Sequence, residues 1–298
     1  MKINRGISFM RKHFLKIDEK HITYYEYGKP GNTALVLLHG LAGSAIYSYA
    51  EVAPLLAEKF HVVAIDLPGH GETSPFQEER QYLFSEIAIW LNAVLENILD
   101  EPFIMIGHSW GADVALHFTK HFPSNVKGVI LLDGGFTFPA FQDDMTFEKA
   151  YSGWEEYMEN STHPTIESIK EEYKTYSTRG IEELESMVES IIIRRDEAYE
   201  LIASKSTVLS IIKSFFQEPF KDTYSYIQVP LLLLHATNPR ELDTARKKGI
   251  AELRDKVQDV TVMKLEDTGH MLQWDRPKTV IYEIDRWIVQ KKLGGLIS

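Results

Sequence analysis

Six short apolar runs, at residues 34–38, 61–66, 103–106, 127–133, 230–235 and 260–265, punctuate this chain. A short continuous apolar run bounded by turn residues marks a strand buried on both faces. Between the runs, residues 49–59, 83–99, 110–121, 241–253 and 277–289 read as helices; in 83–99 the apolar positions Ile87, Trp90, Leu91, Val94, Leu95 and Ile98 fall at helical spacing. Strands that alternate with helices build a mostly parallel sheet with right-handed crossovers and helices on both faces, so the expected fold class is α/β.

Two stretches depart from the alternation. Residues 14–18 and 22–27 alternate across Glu19, Lys20 and His21, as an antiparallel hairpin at a sheet edge would. From Phe136 to about Thr223 there is no strand run, only helical, charged and aromatic segments at 147–158, 165–176, 181–194 and 198–216. So long a helical stretch between two sheet strands reads as an inserted cap. The expected division is a core over 1–135, a helical cap over 136–222 and the rest of the core over 223–298.

Composition narrows the chemistry. With 298 residues, 44% of them hydrophobic, the chain can bury one large core and carry an insertion. Its net charge of −11, with no basic stripe interleaved with aromatics, argues against nucleic acid as a partner. The absence of cysteine removes disulfides, thiolate zinc sites and cysteine nucleophiles together. No motif for a metal or nucleotide cofactor stands out, so none is expected. Residues 1–12 lack the apolar stretch and cleavage site of a signal peptide, and no apolar run reaches the ~20 residues of a membrane helix. A cytoplasmic protein without a membrane span is the expectation.

The run that begins at Phe103 ends in Gly107, His108, Ser109, Trp110 and Gly111 before a helical pattern resumes. That is a strand, a sharp turn and a helix, with a serine at the turn and glycines two residues to either side. The glycines leave room for the tight backbone that a protruding serine needs. A helix starting just after Ser109 turns its unpaired N–H groups toward the place where charge would build on an attacked carbonyl.

In open parallel sheets, sites form beyond the carboxyl ends of the strands. Those ends carry His39-Gly40-Leu41, Ser109, Asp133, the stretch from Asn238 to Asp243, and Asp267-Thr268-Gly269-His270. A serine, an acid and a histidine thus follow in that order. With Leu38-His39-Gly40, Asp66-Leu67-Pro68-Gly69-His70-Gly71, Gly107-His108-Ser109-Trp110-Gly111 and Thr268-Gly269-His270, the chain resembles the α/β-hydrolase family in its helically capped branch, over nearly its whole length.

That resemblance implies Ser109 as nucleophile and His270 as the base that takes its proton and returns it to the leaving group. The chemistry asks for the same parts, since a free serine hydroxyl is a poor nucleophile and an imidazole, titrating near pH 6.5, works in both directions. The backbone N–H groups of Leu41 and Trp110 would form the oxyanion hole. In the commonest pattern of the family the acid follows the strand at 230–234, but that place reads His235-Ala236-Thr237-Asn238-Pro239-Arg240, without a carboxylate. Some relatives carry the acid one strand earlier, where this chain has Asp133; the assignment is therefore Asp133, with Asp243 and Glu241 as alternatives. His39 and His108 are read as packing or backbone-bonding residues and His70 as a plain loop residue.

Phe136, Phe138, Phe141, Phe147, Tyr151, Trp154 and Tyr157 make the front of the cap aromatic. Most would form the cap's own core, while some face the site; Gly40, Phe136, Phe138 and Trp154 are the candidate substrate contacts. The expected partner is a small-molecule apolar acyl or ring-bearing substrate. The expected activity is that of a serine hydrolase of the carboxylesterase or lactonase kind, cleaving an ester, lactone or related acyl bond through an acyl-enzyme. Alternatives are an acyltransferase or a carbon–carbon bond hydrolase using the same residues, and a ligand receptor with negligible turnover. Dehalogenase and epoxide hydrolase readings fit less well, because those relatives carry an aspartate where this chain has Ser109.

Overall fold

The computed structural model describes residues 10–180 and 184–294. The polar start at 1–9 and the first residues of the helix expected at 181–194 lie outside the described residues. In chain order the strands are β1 (Arg11–Ile17), β2 (Lys20–Tyr27), β3 (Ala34–Leu38), β4 (His61–Ile65), β5 (Phe103–His108), β6 (Val126–Leu132), β7 (Thr162–His163), β8 (Ile192–Arg195), β9 (Ala198–Leu201), β10 (Leu231–Ala236) and β11 (Val260–Leu265). Eight of them form one sheet in the order β1-β2-β4-β3-β5-β6-β10-β11. The hairpin β1–β2 and the β2–β4 pair are antiparallel, and every other pairing in this sheet is parallel.

The short apolar runs are buried on both faces because successive side chains point opposite ways. Val36, Leu38, Val63, Ile65, Met105, Val129, Leu131 and Leu233 join one cluster with α3 (Phe84–Leu95) and α4 (Trp110–His121). Leu35, Leu37, Val62, Ala64, Ile104, Ile106, Ile130 and Leu234 join the other with α1 (Ala45–Tyr49), α2 (Val52–Leu56) and α11 (Pro277–Gln290). The chain runs from β3 out to β4 on one side and then crosses to β5 on the other, which opens a crevice beyond the ends of β3 and β5. Both the Gly40 turn and Ser109 lie at that crevice. Among the described residues no helix is long and apolar enough to cross a membrane.

The helix expected at 49–59 is instead two short ones, α1 and α2. The first begins earlier, because Ser44 accepts the N–H of Tyr47 and caps it.

The segment between β6 and β10 is not free of strands. Besides α5 (Phe147–Asn160), α6 (Ile166–Tyr173), α7 (Glu185–Glu189) and α8 (Lys205–Gln217) it holds a three-stranded sheet in the order β7-β9-β8. The helices expected at 181–194 and 198–216 are corrected accordingly. Ile191, Ile192 and Ile193 are β-branched, and Asp196 turns the chain at a positive φ of 50° so that Arg195 meets Ala198 across a hairpin. The next helix starts only after Ser204, which accepts the N–H of Thr207. The helix expected at 165–176 tightens into a 3-10 turn at Lys174–Tyr176, and the one expected from 241 starts at Asp243 as α9 (Asp243–Lys256). Buried residues of this segment, among them Ala150, Ile169, Val188 and Ile212, belong to the same apolar cluster as Leu38 and Trp110.

Candidate active site

β5 delivers Ser109 to a turn with φ 52° and ψ −122°, a sparsely populated conformation for a residue with a side chain. Its neighbours hold it there. The Ser109 N–H donates to the Leu132 carbonyl at 3.0 Å, and the Ser109 carbonyl accepts the Ala112 N–H at 2.9 Å. A Cβ on Gly111 would lie 2.2 Å from the Leu38 carbonyl oxygen, and one on Gly134 would lie 2.3 Å from the Ser109 carbonyl oxygen. The backbone around the serine closes only because these two positions lack side chains. Gly111 belongs to the motif around the serine; the Gly134 contact is a tertiary one that spacing along the chain does not reveal.

Asp133 directly follows β6 at a positive φ of 45°, with its side chain only 9% exposed. Its Oδ1 accepts the Ala236 N–H at 2.9 Å, and its Oδ2 accepts from His270 Nδ1 at 2.7 Å. Burial alone would push the carboxyl upward, but the His270 hydrogen bond and charge, the Ala236 N–H and the charge of Arg246 outweigh it and hold it below the ordinary carboxylate range. With Nδ1 engaged, Nε2 is the ring nitrogen of His270 left for a second partner. The alternative acids go elsewhere. Asp243 accepts from Arg246 at 3.1 Å, and Glu241 is exposed.

The loop carrying His270 is tied from two directions. His108 Nε2 donates to the His270 carbonyl at 3.0 Å, and its ring packs 4.9 Å from the His270 ring. Asp275 Oδ2 accepts the Gly269 N–H at 2.7 Å, while its Oδ1 accepts the Thr178 N–H at 2.7 Å and the Ser177 hydroxyl at 2.8 Å. Asp275 thereby joins the His270 loop to the segment between β6 and β10. Sequence reading passed over this residue, since nothing in its surroundings along the chain announces a tertiary acceptor.

The Gly40 turn is set by two buried imidazoles. His39 accepts the Leu67 N–H on Nε2 at 2.9 Å and donates from Nδ1 to the Gly40 carbonyl at 2.8 Å. His70 accepts the Ala42 N–H on Nε2 at 3.1 Å and donates to the Pro68 carbonyl at 3.0 Å. It is fully buried, a structural pin between two loops and not the plain loop residue expected. Burial pushes His70 down to about 4 and His108 down to about 3, so both stand neutral and keep their acceptor lone pairs. Among the described residues the N–H groups of Leu41 and Trp110 donate to no carbonyl.

A cavity of about 780 Å³ opens in front of these groups, bordered by Gly40, Leu41, His108, Ser109 and His270. Among the described residues no hydrogen bond joins the Ser109 hydroxyl to His270; the two share the cavity wall. The cavity is also lined by the rings of Phe138, Trp154, Tyr157, Tyr173 and Tyr47, and among the described residues no aspartate or glutamate borders it. A smaller compartment of about 210 Å³ lies beside it, sharing Leu41, Ser109, Phe138, Trp154 and His270 and adding Trp110 and Phe136. The four candidate contacts, Gly40, Phe136, Phe138 and Trp154, all border one compartment or both. Of the remaining aromatics, Tyr157 also borders the larger one, whereas Phe141 packs on Phe220, and Phe147 on Tyr151 and Phe216.

The model of the alpha/beta hydrolase fold family matches residues 33–277. The uncharacterized hydrolase YugF of Bacillus subtilis is 23% identical over 288 residues, covering 95% of this chain and 93% of that protein. The uncharacterized hydrolase YNR064C of Saccharomyces cerevisiae is 29% identical over 148 residues, covering 49% of this chain and 50% of that protein. Among solved structures, that of E-2-(acetamidomethylene)succinate hydrolase aligns with a TM-score of 0.73 at 16% identity, covering 94% of this chain and 100% of that one, a likeness of fold.

Proposed function

The chain belongs to the α/β-hydrolase fold family, and from that premise we propose that it is a serine hydrolase cleaving a carboxylic ester, lactone or related acyl bond through an acyl-enzyme. The observation that carries this reading is the 2.7 Å hydrogen bond from His270 Nδ1 to a buried Asp133, with the other ring nitrogen left for a cavity that Ser109 also borders.

In this reading Ser109 Oγ attacks the substrate carbonyl carbon while its proton passes to His270 Nε2. The electron pair of the carbonyl bond moves to its oxygen, which the N–H groups of Leu41 and Trp110 receive. Collapse expels the alcohol, which takes the proton from His270, and leaves an ester on Ser109. Water then attacks that ester, giving a proton to His270, and the acid departs as the proton returns to Ser109. Asp133 holds the imidazole in the required tautomer and stabilises the imidazolium of each half-reaction.

Residues 136–222 act here as a cap that supplies the aromatic wall. A cavity of about 780 Å³ lies within the range of small-molecule sites, and its rings favour an apolar or ring-bearing partner. The test is pre-steady-state hydrolysis of p-nitrophenyl butyrate. An initial burst of p-nitrophenol equal to the enzyme concentration, followed by steady turnover, is expected. A burst without turnover would favour the receptor reading, and no release at all would overturn the hydrolase reading.

A further inference from the structure

The smaller compartment contains a polar group that the mechanism above does not use. Asp113 stands on α4 four residues after Ser109, about one helical turn along the same face. It borders the compartment, the residue is 2% exposed, and among the described residues its Oδ1 has no hydrogen-bond partner. An unpaired buried polar atom costs roughly 1–3 kcal/mol, a cost that a hydrogen-bonding group of a ligand in the compartment would offset. Arg246, on the same wall, is already occupied by the carbonyls of Thr237, Asn238 and Pro239 and by Asp243. Burial pushes the Asp113 carboxyl well up, only partly offset by its own N–H and that of Gly135, a shift toward the protonated form, the one that can donate a hydrogen bond.

The two compartments differ in how they close. The larger one is bordered by exposed Lys149, Thr175 and Tyr176, a way out for a leaving group. The smaller one is walled on the core side by buried Trp110, Phe136, Ile212 and Phe215, with half-buried Thr137, Gln142 and Leu242 also along it, which suits the part of the substrate that stays bonded to Ser109. Its volume of about 210 Å³ equals roughly seven water volumes, room for a short acyl chain.

We propose that this compartment is the acyl subsite and that Asp113 hydrogen-bonds an oxygen carried by a short acyl group. The favoured substrates are then esters of short alkoxy, hydroxy or oxo acids with a larger apolar leaving group. This rests on the acyl-enzyme reading. The test compares kcat/KM for p-nitrophenyl methoxyacetate and p-nitrophenyl butyrate, which differ by one oxygen in place of a methylene. In Asp113→Leu the methoxyacetate-to-butyrate ratio should fall about tenfold from that of the unaltered enzyme, because the oxygen loses its partner; in Asp113→Asn, which keeps a donor, most of the ratio should return. An unchanged ratio in Asp113→Leu would overturn the role of Asp113.

Should Asp113→Leu fail to fold, Ile212→Phe carries the test by narrowing the same compartment. It should raise KM for butyrate relative to acetate without altering the dependence on leaving-group size. A changed leaving-group dependence with acyl-length preference intact would overturn the subsite. Failure of the unaltered enzyme to turn over either ester would count against the hydrolase reading itself, so the two failures are distinguishable.

Discussion

A methyl group on Gly134 would meet the Ser109 backbone, with its nearest contact at 2.3 Å, while Asp133 beside it reaches His270 at 2.7 Å. One turn after β6 thus constrains both ends of the proposed relay. Ser109→Ala should abolish turnover, by up to about 10⁶-fold in kcat, and leave the melting temperature nearly unchanged. Retention of most of the activity would remove Ser109 from the mechanism. For the acid, Asp133→Asn should lower kcat by up to about 10⁴-fold, since an amide can favour the wrong tautomer while preserving shape. Asp243→Asn should do little beyond releasing Arg246; a mild Asp133→Asn beside a crippled Asp243→Asn would move the acid to the later strand. The strand-end position of Asp133 and the missing carboxylate after β10 are both readable in the sequence. What the sequence does not display is the path of its second oxygen, which depends on Ala236 being brought alongside by strand pairing.

Among the elements, the strands were the easiest to read, because a run buried on both faces must be apolar throughout and ends at a turn. The segment between β6 and β10 was harder. β8 and β9 have four residues each, Ile192-Ile193-Arg194-Arg195 and Ala198-Tyr199-Glu200-Leu201, too short and too irregular to display the period of two that marks a strand. The expectation of helices there failed for that reason, although the β-branched isoleucines and the turn at Asp196 carried the signal. The same segment depends on Asp275, whose carboxylate joins Thr178 and Ser177 to Gly269. Asp275→Ala should lower kcat by up to about 10²-fold through displacement of the His270 loop, with a modest loss of thermal stability. Ser177→Ala, which leaves the Gly269 bond in place, should lose much less. A normal kcat in Asp275→Ala, measured alongside its melting curve, would show that the loop holds its place without this contact.

At the scale of the whole molecule, buried imidazoles govern the response to acid. Burial places His70 and His117 at about 4, His108 at about 3 and His39 well below the ordinary value. A group depressed in the folded state stabilises fully above its unfolded value, near 6.5, and loses that contribution as pH falls toward its folded value. Asp66, raised to about 6, and Asp113, raised well above its ordinary value, act in the opposite sense. With His235, which burial also lowers, five imidazoles against two carboxyls leave the unfolded chain with more bound protons at pH 5, so stability should fall on acidification by roughly 1.4 kcal/mol per pH unit for each net proton. The urea midpoint should therefore drop between pH 6.5 and pH 4.5, and a flat profile would contradict the buried, neutral state of these rings. The most direct test of the central claim is peptide mapping by mass spectrometry after treatment with a fluorophosphonate. The adduct should lie on Ser109 and grow in step with the loss of ester hydrolysis. Hydrolysis that persists with Ser109 fully modified, or is lost with Ser109 unmodified, would contradict the acyl-enzyme account.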